Sequence, residues 1–433
     1  MSRRRGSASD FHTLRSAAPG KSYVRHRALL PLAASILLSA TMQLQHVLFP
    51  DHISRRSLLS LLVVAGCGRK RANRYPGWMF VSSATERGIA VADLSNFRRM
   101  ETIGLHATPC ALIPINTPRN GTGVAAICRD PALAVRVNPA QMSIVSRLRL
   151  PATPLSAVSA ANGTQIAILA TDPDCLIVTD GGVARILARI PLPGRGEAID
   201  VWHDQAAVSV PATQCVVRIS LAGRRAIGKT ETGGKAETGA FGSPLRFRSD
   251  GKALLAGDSA RRQIVAVDWD TGRLLARLPV GIQPKHFCFD DQGGQMFVSG
   301  PGGDFVVIVA PYQYEVYETI PAGRRPGPMA VSIPQNLLLV ANPESGDLTL
   351  LDIYTRQLAA SVHVGDTPGE VLVTPDGEYA LVVSQDSGAV SVIRLKTVLN
   401  RGENALTARG IKPLFTVFPM AARPGAALIV PAV

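Results

Sequence analysis

At 433 residues the chain has length for two or three ordinary domains or for one large repeat array, and 46% apolar against 18% charged residues excludes a disordered or fibrous protein. The formal charge of +14 is concentrated at the front: residues 1–66 hold nine Lys/Arg against two Asp/Glu, so they supply +7 of it. A further basic cluster, Arg69, Lys70, Arg71 and Arg74, is followed by no aromatic–basic stacking platform, which excludes a nucleic-acid-binding role.

The first apolar stretch, Ala28 to Met42, is broken by Pro31 and two serines and is shorter than the ~20 residues a spanning helix needs. A second begins behind Arg55-Arg56-Ser57-Leu58-Leu59 and ends at Val64-Ala65-Gly66-Cys67. This segment resembles a bacterial lipoprotein signal, in which small residues admit the signal peptidase and the Cys67 thiol takes the lipid. The Arg55-Arg56 pair resembles a twin-arginine export signal, with Leu58 and Ser60 departing from the usual residues. Initiation at Met42 would leave one signal peptide, 42–66. Residues 1–41 then read as a start-site artefact or an extra N-terminal segment, 67–78 as a linker beside the membrane, and 79–433 as the folded domain. The expected location is the cell envelope, on the periplasmic or extracytoplasmic face.

From residue 79 one pattern recurs: two apolar strands joined by a polar turn, a weaker third strand, and an elbow. The elbows carry a proline, which fixes φ where the chain swings inward, at Pro109, Pro154, Pro244, Pro284, Pro326, Pro368 and Pro424, with Gly196 in the remaining one. Hairpins are expected to begin near Met79, Gly123, Gln165, Gln205, Ala253, Gln295, Leu337 and Tyr379. A unit of about 42 residues cannot bury its own faces, so the expected fold is an all-β propeller of four-stranded blades. Eight blades are expected, with seven as the alternative. The tail supplies Leu414–Pro419 as an outer strand and Ala426–Pro431 as an inner strand that completes the first blade and closes the ring.

Two local matches have plain explanations. Gly223-Arg-Arg-Ala-Ile-Gly228-Lys229-Thr230 fits the phosphate-binding loop letter for letter, but the Gly-rich sequence after it cannot open the helix that such a loop needs, so no nucleotide is expected there. Asn120-Gly121 and Asn162-Gly163 read as turns rather than as glycosylation sites. Lys396 to Gly410 is an insertion with a short helix.

The repeats resemble the YVTN-type β-propeller family through Val265-Ala266-Val267-Asp268, Thr271-Gly272, Val280-Gly281-Ile282-Gln283-Pro284, Val364-Gly365-Asp366-Thr367-Pro368 and Pro375-Asp376-Gly377. The match is good over 250–395 and weaker over 79–249. The resemblance implies a propeller of lactonase-like or surface-layer type, a fold that also hosts haem-containing reductases and dehydrogenase-like subunits.

Function belongs to the elbows, which gather around the central channel. They carry the cations Arg195, Lys285, Arg325 and Arg423 with His106, a set suited to an anionic or sugar-like ligand, and equally to an ordinary solvated rim. Glu197, Glu370 and His286 are the candidates for activating water on a lactone carbonyl. No cofactor and no metal are expected: there is no C-x-x-C, H-E-x-x-H or G-x-S-x-G, and only four histidines follow residue 66. Of the six cysteines, Cys175 and Cys215 sit at matching points of adjacent repeats and are either neighbours or small buried strand residues. The leading expectation is an exported, lipid-anchored binding or interaction module, whose partner is an envelope protein or a small ligand. A lactonase-like hydrolase is the alternative. A module predicts a shallow mixed rim, an enzyme a Glu and a His converging in one pocket.

Overall fold

The computed structural model describes residues 74–117, 121–160, 163–231, 241–399 and 413–432. Cys67, Arg55, Arg56, Asn120, Asn162 and the Lys235 region lie outside them, so the export, lipidation and glycosylation readings concern residues not described. The described strands form eight four-stranded antiparallel sheets. Seven are built from consecutive strands. In the eighth, β1 (Gly77–Ser83), β2 (Gly88–Asp93) and β3 (Arg98–Gly104) are joined by β32 (Pro424–Pro431), which pairs with β1 through Trp78↔Val430 and Phe80↔Leu428. Eight blades and closure by the C-terminal strand are therefore established. Hairpins open at Gln165, Gln205, Ala253, Leu337 and Tyr379 as expected, at Gly77 rather than Met79, at Gly121 rather than Gly123, and at Met296 beside Gln295.

The burial of each strand follows from its place in the blade. The two middle strands have a neighbouring blade on both faces, so they are continuous apolar runs: Ala253–Asp258 is buried throughout and Gln263–Asp268 nearly so. The outermost strands face solvent, and Glu315–Pro321 is exposed at all positions but Ile320. Eight apolar clusters fill the seams between adjacent blades. The closing seam is the most aromatic of them. Phe97 of blade 1 meets Tyr379 and Phe415 of blade 8 edge to face, at centroid distances of 5.1 and 5.7 Å.

The turns explain the recurrent Asp. After the third strand its carboxylate accepts the N–H of a residue two or three further on: Asp93 from Ser95 at 2.7 Å, Asp268 from Thr271 at 2.8 Å, and Asp352 from Thr355 at 2.7 Å. In all eight blades the third and fourth strands then shift register at a bulge. Bulges increase local twist, which suits a blade whose outer strand splays from its inner one.

The phosphate-loop look-alike is a strand. Gly228, Lys229 and Thr230 lie in β15 (Arg225–Glu231), extended and paired with Arg218, Val217 and Val216, and no helix begins there. Cys175 is buried between blades 2 and 3 and Cys215 between blades 3 and 4, so the two occupy separate cores. All five described cysteines are free. The expected helix is a single turn, Lys396–Leu399, within the described part of its insertion. No helix among the described residues is long and apolar enough to cross a membrane.

Candidate functional site

Each elbow delivers the chain into an innermost strand, and these eight strands touch one another in turn around the channel. They are β4 (Pro109–Thr117), β8 (Thr153–Ala160), β12 (Ala198–Trp202), β16 (Phe241–Phe247), β20 (His286–Phe289), β24 (Met329–Ser332), β28 (Pro368–Val373) and β32. A proline cannot donate to the ladder, and in β4, β8 and β28 the register shifts directly after it, between Pro109 and Ala111, Pro154 and Ser156, and Pro368 and Glu370. The second residue after the elbow proline then faces the channel. In five successive blades that residue, Arg246, His286, Pro328, Glu370 and Ala426, lines one cavity of about 500 Å³. Blades 2, 3 and 4 place Ala111, Ser156 and Ala198 at the same position, so the ionisable side chains at this position sit on one half of the ring.

The backbone around Lys285 is held tightly. Its N–H donates to the Ser299 carbonyl at 2.9 Å, and the Gln283 N–H to Pro301 at 2.8 Å. A Cβ at Gly300 would stand 1.9 Å from the Gln283 carbonyl oxygen, so only glycine lets this turn approach the elbow. Gly196, the one elbow without proline, is likewise fixed by space, since a Cβ there would be 2.6 Å from Leu169. Lys285 and His286 also border a second cavity, of about 440 Å³, that runs outward past Arg325, Glu344 and Thr367.

Burial sets the protonation of the two central groups in opposite directions. Desolvation, with the Lys285 charge beside it, pushes the His286 imidazole down to about 4, so the ring is neutral at neutral pH. Desolvation pushes the Glu370 carboxyl up to about 7, partly offset by the Ala427 N–H that its Oε2 accepts at 2.9 Å. That bond crosses from blade 8 to the closing strand. Asp200 on β12 is also raised by burial, against the Arg246 guanidinium at 3.3 Å and the Phe247 N–H at 2.7 Å. The wall thus offers a carboxyl that is half protonated near pH 7, a neutral imidazole able to donate or accept, and the exposed cations Lys285 and Arg246.

The expected elbow residues divide into two groups. Lys285 and His286 border both cavities, Arg325 one and Glu370 the other, with Arg325 and Glu344 3.9 Å apart in an exposed, weak pair. His106, Arg195, Glu197 and Arg423 are exposed on other elbows and border neither cavity; His106 and Arg423 hold left-handed backbone with φ of 57° and 48°. Glu197 is therefore on blade 4, away from the Glu370 and His286 wall, and its N–H is used to pair with Ser209. Asp200, Arg246 and Gln385 were not read from the sequence. The signal for Arg246 was present in its offset of two from Pro244. Among the described residues no group of His, Cys, Asp and Glu is arranged to hold a metal ion.

No protein-family model matches the chain, and no curated protein matches it in sequence. Solved structures do. The chain is similar to the dihydro-heme d1 dehydrogenase NirN in complex with DHE, with TM-score 0.64 and 15% identity over 81% of this chain and 75% of that one. It is similar to apo AztD from Citrobacter koseri, with TM-score 0.56 and 14% identity over 82% and 98%. BamB from Moraxella catarrhalis gives TM-score 0.52 and 11% identity over 70% and 92%. At these identities the likeness establishes the propeller fold and leaves the chemistry of the channel to its own residues.

Proposed function

We propose that the chain is an exported, lipid-anchored β-propeller of the cell envelope, tethered through Cys67, whose elbow-face channel mouth binds a small anionic or sugar-like ligand. The observation that carries this is the cavity bordered by Lys285, Arg246, His286 and Glu370, with cations at its rim and a neutral imidazole and a half-protonated carboxyl within. A carboxylate or phosphate meets the cations, and sugar hydroxyls meet a neutral imidazole and a partly protonated carboxyl that each donate and accept. The similarity of the repeats to the YVTN-type family and the Arg55-Arg56 to Cys67 segment support the envelope setting. Residues 69–74 then place their basic side chains beside acidic lipid head groups.

The test is native mass spectrometry of the full chain from the source envelope, followed by thermal shift with citrate, gluconate and glucose 6-phosphate. A retained small molecule, or a shift with an anionic probe that Lys285→Glu removes, is the expected result. An empty protein indifferent to all three probes overturns the ligand reading. A mature protein without added lipid mass at Cys67 overturns the anchor.

A lactonase-like hydrolase remains the second reading, because Glu370 and His286 border the same cavity and Glu370 has the protonation range of a general acid or base. His286, held neutral to about 4, is a weak base and fits substrate orientation better. Turnover of a lactone panel that Glu370→Gln abolishes would establish this reading, and no turnover with any lactone would remove it.

A further inference from the structure

A third cavity lies on the rim opposite the elbows. In each blade the first-to-second and third-to-fourth turns share one face and the elbows the other. The turns Asp290–Gln295, Ile333–Asn336 and Ile353–Arg356 therefore belong to the non-elbow face, where they enclose about 470 Å³ between blades 6 and 7. Its floor is apolar: Val331 and Ile353 are the outer end of the core between these blades. Its wall is polar, with the carboxylates of Asp290 and Asp291 beside the amides of Gln292, Gln295 and Asn336. Asp290 Oδ1 and Gln295 Oε1 are buried oxygens with no hydrogen-bond partner. Gln165 and Gln205 leave the same oxygen unpaired at the equivalent place in blades 3 and 4, so Asp290 is what distinguishes this seam.

The lip of the cavity is apolar and unusually exposed. Tyr354 is 87% exposed and Ile333 56%, and Tyr317 and Leu358 follow at 51% and 62%. Of the fourteen exposed large hydrophobic residues among the described ones, six belong to blades 6 and 7, and two of these, Ile333 and Tyr354, line this cavity. The one cation at the cavity, Arg356, is already engaged. Its Nη1 is 2.8 Å from Glu318 Oε2, and the guanidinium lies 5.6 Å from the Tyr317 ring centroid. Arg356 therefore stiffens the lip and leaves Asp290 and Asp291 uncompensated.

We infer that this cavity docks a polypeptide segment of a partner protein by taking in one arginine or lysine side chain. The aliphatic stem lies on Val331 and Ile353, and the cationic head meets the Asp290 and Asp291 carboxylates that line the cavity. A guanidinium or ammonium on an apolar stem matches an apolar floor bordered by two carboxylates. Tyr354 and Ile333 supply the apolar contacts on either side of it, the residue types that anchor protein interfaces. The site is on the face away from the channel, so a partner and a channel ligand bind at once, and the inference stands whichever reading of the channel holds.

The test uses the full chain and a labelled heptapeptide with a central arginine between leucines, read by fluorescence anisotropy. The same peptide with citrulline in place of arginine keeps the shape and removes the charge. The arginine peptide is expected to bind at least tenfold more tightly than the citrulline one, and Asp290→Ala should remove that difference. Tyr354→Ala, at a side chain whose loss cannot unfold a blade, should weaken both peptides several-fold. Lys285→Glu should change neither. Equal binding of the two peptides, no binding of the arginine peptide at millimolar concentration, or an unchanged preference in Asp290→Ala each overturns the inference.

Discussion

On the elbow rim, Lys285, Arg325 and Arg246 stand around two half-buried titratable groups, whereas on the opposite rim Asp290 and Asp291 face an apolar floor under an exposed tyrosine. Both rims are built from the same repeat and in part from the same blades. Strand β20 alone supplies His286 at one end and leads into Asp290 at the other. The difference teaches that the repeat fixes positions, and that single loop residues, free of packing duty, fix the sign of the charge at each position.

The most severe way to break the comparison is to remove what both rims share. Tyr379 is fully buried in the closing seam, edge to face with Phe97, and Tyr379→Ala should cost about 3–5 kcal/mol. Denaturant unfolding should reveal it, and ligand and peptide binding should be lost together at temperatures where wild type keeps both.

The next test probes the elbow rim alone, by pH. His286 titrates near 4 in the folded chain against 6.5 ordinarily, so the unfolded state binds more protons between those values and this group makes stability rise with pH across that window. Glu370 titrates near 7 against 4.5, so the folded state binds more protons there and stability falls as pH rises from 4.5 to 7. Each shift corresponds to about 3 kcal/mol at most, and the two slopes oppose. In Glu370→Gln the His286 slope should stand alone, with unfolding free energy rising from pH 4 to 6.5. In His286→Gln the falling slope should stand alone. Parallel profiles in wild type and both variants would show that neither group is buried as described.

Smaller effects sharpen the contrast. Lys285→Glu should weaken an anionic channel ligand more than tenfold in a titration, with little change in stability, because the side chain is exposed. Tyr354→Ala should alter unfolding free energy by less than about 0.5 kcal/mol, and a larger loss would mean that the lip is structural.

The fold was legible because its punctuation is chemical. Prolines at the elbows and aspartates at the turns mark the same geometric events in blade after blade, and Phe418 or Val430 could be placed by counting from them. The site was legible only in part. Elbow residues such as Arg195, Glu197 and His106 lie close to their own elbow positions as Lys285 does to Pro284, yet belong to other elbows, and sequence spacing carries no angle around the ring. The innermost strands lack a clean two-residue alternation, because one edge faces the channel and a bulge often follows the proline. Which side chain points inward was therefore hidden, although an offset of two from each elbow marks it. The cavity at Asp290 was hidden for another reason: it arises where two blades meet, and nothing in either segment announces the other.

Blade 1 joins residues from the two ends of the propeller, with Trp78 paired opposite Val430. During synthesis a ribosome must complete the other seven blades before this pair can form. Until then the inner edge of Gly77–Ser83 is an open template for any passing strand. Translation order thus makes the last strand a timing device: a nascent chain stays unlatched, and accessible to whatever machinery handles it, until its closing segment emerges.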